Sequence, residues 1–298
     1  MAFPLTIVPR SEFENHPLLA RLLQLHDVPE ELYIAGNLPQ VVIDEYGRAT
    51  PRILTVIGSR KHSGYGKSVV EKLIRELEGE QVIILSGLAY GIDGIAHTAA
   101  LQHSITTIAI PGSGLDPKVI YPRTHLQLAE EIVEKGGALL SELAPETSAA
   151  QWTFPSRNRI VAALSDAVLV IEATDKSGAL ITSRQALELG RDIGAVPGDI
   201  FSPTSLGTHL LIRDGAYMIA DIDDLRALLH LSKKEKVEVV REYSSHEKVI
   251  LDILTEPTEK DLLLIKSALL PNEFLIALSS LEMKGAIEET FGEVRRLV

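Results

Sequence analysis

The sequence predicts an α/β protein: an extended Rossmann-like, mostly parallel sheet with helices on both faces, followed by a small winged-helix-like domain. Three observations predict it. From Arg52 onward, short apolar runs alternate with helical segments, and a glycine-bearing turn follows most of the runs. The runs are short and apolar, broken only by threonine, and do not alternate with charged residues, as in strands covered on both faces. Past residue 231 this alternation gives way to three helical patterns and a closing pair of strands.

Taken in order, residues 1–50 read as a lead-in that packs on the core. HPLLARLLQLHDVP is an amphipathic helical piece ended by Pro29, and LYIAGN and QVVIDEYGR follow, the latter two short extended runs around a Tyr-Gly turn. Residues 51–230 form the Rossmann-like domain. Its strands are expected at 53–57, 82–85, 105–110, 138–140, 167–171 and 194–196, and its helices at 68–80, 94–102, 124–135, 156–164 and 178–191. Residues 231–245 are charged, carry a serine pair and read as a linker. In 246–298, Thr258 is the expected N-cap of the second helix, Gly285 the stop of the third, and Gly292 the centre of a hairpin, which together suggest a winged helix.

Parallel crossovers are right-handed, so the turns at 58–66, 86–93, 111–116, 172–182 and 197–199 gather along one edge of the sheet. Open α/β sheets bind ligands at that edge. The stretch TVIGSRKHSGYGKS (55–68) is the most informative turn: a strand stops at Gly58, and a helix begins after a loop holding Arg60, Lys61 and Lys67 with no acid. Such a junction leaves backbone amides open to an anion. Walker A is excluded, because Lys61 stands where its first glycine must be, and the dinucleotide fingerprint fails at Val69. A surface turn with incidental lysines is the alternative for this stretch taken alone.

Composition sets the outer bounds. The chain has 298 residues, 45% of them hydrophobic, with no membrane-length apolar run and no signal-peptide pattern, so a cytoplasmic protein is expected. Without cysteine there is no disulfide or thiolate zinc site, and the nine histidines have no metal-ligand spacing, so neither a metal nor a cofactor is expected. No serine sits in G-x-S-x-G. The net charge of −12 argues against wrapping nucleic acid over the whole surface, yet 55–68 and 151–159 carry positive residues and no acids. From Ser244 to Val298 there are six basic residues against ten acids, which points the small domain toward a protein contact and away from the DNA major groove.

The turn residues suggest specific roles. Gly58, Ser59, Arg60, Ser63 and Gly66 are assigned to one phosphate through amides, hydroxyls and a guanidinium fork. Lys61, Lys67, Arg123, Arg157 and Arg159 extend the positive groove, and Tyr65, Trp152 and Phe154 offer faces for base stacking. Arg157 and Arg159 are two apart and cannot share a helix face, so one meets the ligand while the other braces the loop. Asn158 is expected to hydrogen-bond the glycine loop and Asp93 to cap the helix carrying His97. Ser86 and Gly87, and Lys176 and Ser177 at the mouth of the 172–182 turn, complete the candidates.

The motifs VIGSRKHSGYG (56–66), SGLAYGIDGIAHTAAL (86–101), TIAIPGSGLD (107–116), FPSRNRIVAALS (154–165), VIEATDKSGALIT (170–182) and SLGTHLLIRDGA (205–216) occur in this order. With them the chain resembles the DNA-processing protein A family of bacterial natural transformation. The resemblance covers most of residues 50–220. It implies an extended Rossmann fold that is not an enzyme, that binds single-stranded DNA, dimerises, and helps to load the RecA recombinase onto incoming strands. Tyr90 departs from the family, which generally has arginine there. A nucleotide-processing enzyme of the phosphoribohydrolase kind is the second reading, faintly suggested by SGALIT, but the tandem glycines of that motif and a suitably spaced carboxylate pair are missing.

Overall fold

The computed structural model describes residues 3–231, 243–290 and 292–297. The chain divides into two compact units, Met1–Lys233 and Lys234–Val298. Most of the expected linker at 231–245 lies outside the described residues.

In the first unit the strands are β1 (Leu5–Pro9), β2 (Glu31–Gly36), β3 (Val42–Ile43), β4 (Ala49–Thr50), β5 (Arg52–Ile57), β6 (Val82–Ser86), β7 (Thr107–Ala109), β8 (Ala138–Ser141), β9 (Ala167–Val170), β10 (Asp192–Ala195) and β11 (Tyr217–Met218). Its helices are α1 (Pro17–Ala20), α2 (Gly64–Glu76), α3 (Ile92–Gln102), α4 (Leu126–Glu134), α5 (Thr153–Leu164), α6 (Gly178–Glu188), α7 (Leu206–Arg213) and α8 (Ile222–Leu228). Among the described residues, nine strands make one sheet in the order β1-β2-β8-β7-β6-β5-β9-β10-β11. The pairs from β8 through β11 are parallel, while β1 on β2 and β2 on β8 are antiparallel. β3 and β4 form a separate small hairpin.

The apolar runs form strands because the sheet is covered on both sides. Leu54, Val56, Ile84 and Leu169 face one core with Val70, Leu73 and Ile74 of α2, Ala96 and Ala100 of α3 and Leu225 of α8. Ile53, Ile83, Leu85 and Ile108 face the other with Ile160, Val161 and Leu164 of α5. Burying one such side chain contributes about 1.5–3 kcal/mol. The second core also takes Phe13, Leu18, Leu22 and Leu32, so the first fifty residues supply core side chains as well as two sheet strands. Arg21, 6% exposed, fastens them by ion-pairing Asp166 and by donating to the carbonyls of Leu164 (2.7 Å) and Gly47 (2.8 Å).

Several local expectations are corrected. The expected helix over HPLLARLLQLHDVP is one α-turn, α1, followed by a 3-10 segment Arg21–Gln24. α2 starts at Gly64, four residues before the expected 68, because the Ser63 hydroxyl accepts the Gly66 amide at 3.0 Å. Asp93 does not cap α3. The cap is Gly91, and Asp93 lies inside the first turn with its carboxylate accepting from the amides of Gly87 (3.1 Å) and Ala89 (3.4 Å).

The second unit contains α9 (Ser245–Ile253), β12 (Thr258–Glu259), α10 (Lys260–Ser267), α11 (Pro271–Met283), β13 (Ile287–Thr290) and β14 (Glu293–Arg296). β12 pairs β14, which pairs β13, all antiparallel. Thr258 belongs to this sheet, and Glu259 is the N-cap of α10, a correction of the expected cap. Phe274, Leu278 and Leu281 of α11 close the core on Ile250, Leu263 and Val294. Among the described residues no single helix is long and apolar enough to cross a membrane.

Candidate nucleic-acid interface

The strand order diverges at β5 and β9: β6, β7 and β8 lie on one side of this pair, β10 and β11 on the other. Loops leaving the ends of such a pair part from each other and leave a crevice. A cleft of ≈ 520 Å³ lies there, lined by Gly58, Ser59, Arg60 and Lys61 after β5, by Phe154, Arg157 and Asn158 of α5, and by Ser177 at the start of α6.

The positive rim is held by local structure. The Ser59 hydroxyl donates to the Lys61 carbonyl (2.9 Å) and accepts the Lys61 amide (3.1 Å), which bends the loop and turns Arg60 outward. The Arg60 guanidinium lies 4.7 Å over the Phe154 ring. Among the described residues it has no ion-pair partner, so a cation–π contact positions a charge that remains open to an anion.

Ser63 and Gly66, assigned from sequence to the same phosphate, are taken up by an internal carboxylate. Glu172, which follows β9 and is 3% exposed, accepts the Ser63 amide (2.9 Å), the Ser63 hydroxyl (2.5 Å) and the Thr204 hydroxyl (3.2 Å). Gly66 is required here, because a Cβ would stand 2.4 Å from the Glu172 Oε2. The start of α2 is therefore already capped by a negative charge, which leaves the Gly58–Lys61 rim as the part of this loop with open positive charge. The apparent absence of acids around 55–68 is a property of the local sequence and not of the folded loop.

Arg157 and Arg159 part as their spacing requires, and both act within the protein. Arg157 is 7% exposed and donates to the Gly87 carbonyl (2.7 Å) and to Asn158 Oδ1 (3.3 Å). Burial lowers its pKa to about 10, against the pull of nearby Asp93. Burial likewise pushes the Asp93 carboxyl up, opposed by Arg157 and the two loop amides. Arg159 ion-pairs Glu142 and lies 3.5 Å from Asp27. Asn158 lines the cleft and binds Arg157, not the glycine loop, which corrects its expected partner.

The remaining candidates are more scattered. Ser86 is fully buried and donates to the Val56 carbonyl (2.6 Å), so it has no hydroxyl to offer, and Gly87 is buried beside it. Lys67 is exposed and pairs with Glu71 one helical turn on, at 3.7 Å. The Tyr65 hydroxyl donates to the Pro197 carbonyl (2.7 Å). Arg123 is exposed and donates to the Pro117 carbonyl. Trp152 and Lys176 are exposed, and neither lines the cleft.

Beneath the cleft, His97 is fully buried. Its Nδ1 is hydrogen-bonded to the Thr107 Oγ1 at 2.7 Å, and that hydroxyl in turn lies 2.9 Å from the Ile84 carbonyl. Burial lowers its pKa to about 3, with His125 and Arg157 adding to the effect. Among the described residues no group of three or more His, Asp or Glu side chains could hold a metal ion. Sequence reasoning missed Glu172, whose signal was an acid directly after a buried strand at the edge where the turns gather.

Comparison with known proteins agrees with this architecture. The family model for DNA recombination-mediator protein A matches residues 11–230. Protein Smf of Escherichia coli is 42% identical over 205 residues, 69% of this chain and 52% of that protein. DNA processing protein DprA of Bacillus subtilis is 40% identical over 204 residues, 68% of this chain and 65% of that protein. The match thus spans about half to two thirds of these relatives' lengths. Among solved structures, DNA processing protein A of Helicobacter pylori, described for its single-stranded DNA binding mode, superposes with a TM-score of 0.63 at 30% identity, over 76% of this chain and 96% of that one. With a family match over residues 11–230, which takes in every strand of the nine-stranded sheet but β1 and runs to the end of α8, the chain belongs to the DNA recombination-mediator protein A family.

Proposed function

We propose that this chain binds single-stranded DNA without reading its bases, protects incoming strands in natural transformation, and helps to load the RecA recombinase. The observation that carries the proposal is the Arg60 guanidinium held over Phe154 at the mouth of the cleft between the diverging strands. Charge for phosphates combined with aromatic faces for bases is what sequence-tolerant binding of single strands requires. The likeness to the Helicobacter pylori protein supports the same reading.

Catalysis is not part of the proposal. Asp93, which lines the cleft, and Glu172, which holds the cleft residue Thr204, are tied to backbone amides and are not poised as an acid and base pair. The phosphoribohydrolase reading is accordingly not favoured. The protein is proposed to work in the cytoplasm as a homodimer. Support for self-association comes from exposed Leu187 on α6 and exposed Tyr217 and Met218 on β11, a short edge strand with open main-chain groups. The second unit is proposed to be a winged helix that contacts protein. The exposed Leu275, Ile276 and Met283 on α11 support that role, because an apolar helix face does not suit a phosphate backbone.

Fluorescence anisotropy with oligo-dT against duplex DNA across a salt series tests the binding proposal. A log–log slope of roughly −2 to −4 is expected, with Arg60→Ala flattening it by about 0.7 for one lost phosphate contact. An unchanged slope and affinity in that variant refutes the assignment, and release of ribose phosphate from a nucleotide favours the enzyme reading.

A further inference from the structure

Arg60 is the first member of a series of ring contacts that leads away from the phosphate cleft. Its guanidinium lies over Phe154 at 4.7 Å. Phe154 meets Tyr121 at 5.8 Å between centroids with 64° between planes, and Tyr121 meets Tyr90 at 6.1 Å and 80°. Tyr90 in turn meets His125 at 5.6 Å and 63°. Tyr90 and Tyr121 are 41% and 40% exposed, so each keeps a large part of its ring open to solvent while the rest is braced by the neighbouring ring.

The frame around these rings is fixed. His125 closes the series from behind, its Nδ1–H donating to the Leu88 carbonyl at 2.9 Å. Gly91, directly after Tyr90, has φ of +77°, and a Cβ there would stand 2.2 Å from the Ser59 carbonyl oxygen. The Ile92 amide donates to that same oxygen at 3.2 Å. The turn that carries Tyr90 is therefore fastened to the loop that carries Arg60, and the rings cannot drift from the guanidinium. Two planes at 80° make a corner. A flat ligand lying parallel to one ring meets the other edge-on, and both are favoured aromatic arrangements.

We infer that Tyr90 and Tyr121 form a stacking platform for a nucleobase of the strand whose phosphate Arg60 holds. The inference rests on the single-strand reading above and adds a base subsite to it. Stacking on a ring face is open to any base, so the platform strengthens binding without selecting sequence. It also contributes affinity that salt does not screen, since no counterion is released when a base stacks.

The test compares oligo-dT with a strand of the same length built from abasic residues, which keeps the phosphates and removes the bases. Both are titrated against the full chain across a salt series. Tyr90→Ser is expected to weaken oligo-dT by about tenfold, within the range for one base–aromatic stack. It should leave the salt slope and the affinity for the abasic strand unchanged, and Tyr90→Phe should bind oligo-dT as the wild type does. The inference is overturned if Tyr90→Ser keeps full affinity for oligo-dT, or if it weakens the abasic strand equally, which would mean that the ring acts only by bracing the Arg60 loop. A wild-type protein that binds the abasic strand as tightly as oligo-dT, with its salt slope intact, refutes the platform and spares the phosphate cleft. Failure of the wild type to bind either strand refutes both.

Discussion

Gly66→Ala isolates the contact between the start of α2 and Glu172. Helix propensity alone says that alanine in place of glycine stabilises α2 by about 1 kcal/mol. The structure predicts the opposite sign. The new Cβ would stand 2.4 Å from the Glu172 Oε2 and 2.6 Å from its Cδ, inside van der Waals contact. The carboxylate cannot move aside freely, because it holds the Ser63 amide and hydroxyl and the Thr204 hydroxyl. Losing the bond to the Ser63 amide costs about 1–3 kcal/mol, and overpacking adds about 1–3 kcal/mol. Set against the propensity gain, the net destabilisation is about 1–5 kcal/mol. Urea unfolding, followed by far-UV circular dichroism and by the fluorescence of Trp152, the chain's single tryptophan, reads it as a lower midpoint. In a Glu172→Ala background the clash is gone and Gly66→Ala should be neutral or stabilising by up to about 1 kcal/mol, giving a coupling of about 1–6 kcal/mol in the double-mutant cycle. An equal cost in both backgrounds, or a stabilising Gly66→Ala in the wild type, refutes the reasoning.

Two further outcomes follow from the same structure. His97 is held neutral at a pKa of about 3 against the ordinary 6.5, so between those values the unfolded chain binds a proton that the native one does not. The stability contributed by the neutral imidazole is complete above pH 6.5 and falls as the pH drops toward 3; His97→Gln should flatten that fall in a series of urea midpoints against pH, and an unaltered pH profile would contradict the buried neutral state. Deleting residues 244–298 should leave oligo-dT affinity intact by anisotropy, because the acidic second unit is proposed to meet protein, and a large loss of affinity would count against that role.

The parallel sheet was legible in the sequence because its strands are apolar on both faces and short, and because glycine turns separate most of them from their helices. The edges were not legible. Leu5–Pro9 has apolar residues but is bracketed by prolines and at most half-buried, and Tyr217–Met218 is two exposed residues long, so neither stands out as a strand of the buried sheet. The start of α2 was hidden for a related reason: Gly64 and Gly66 read as a turn, and the carboxylate that makes glycine necessary lies more than a hundred residues downstream. At the cleft, Arg60 and Phe154 were recognisable by residue type and place. Arg157 and Arg159 were separable in principle, since their spacing allows one face each, but which partner each takes depends on Gly87, Asp93 and Glu142, brought near only by folding. The aromatic corner was invisible because Tyr90 and Tyr121 belong to two different loops and Phe154 to the first turn of α5, more than thirty residues apart in each step of the sequence.

The position of β5 between β6 and β9 has a consequence for how the chain emerges from the ribosome. β6 follows β5 within some thirty residues and can pair at once, whereas β9 begins only at Ala167. At about 5–20 residues per second, the other edge of β5 waits several seconds for its partner during synthesis. Throughout that interval an apolar strand stands with its ladder groups open, and the Gly58–Lys61 loop has no opposite wall. Such long-range parallel pairing folds slowly and is the stage most exposed to aggregation. The cleft is therefore among the last features of the first unit to be completed, and a ligand can meet a finished cleft only after residues near Thr204 have been made and docked.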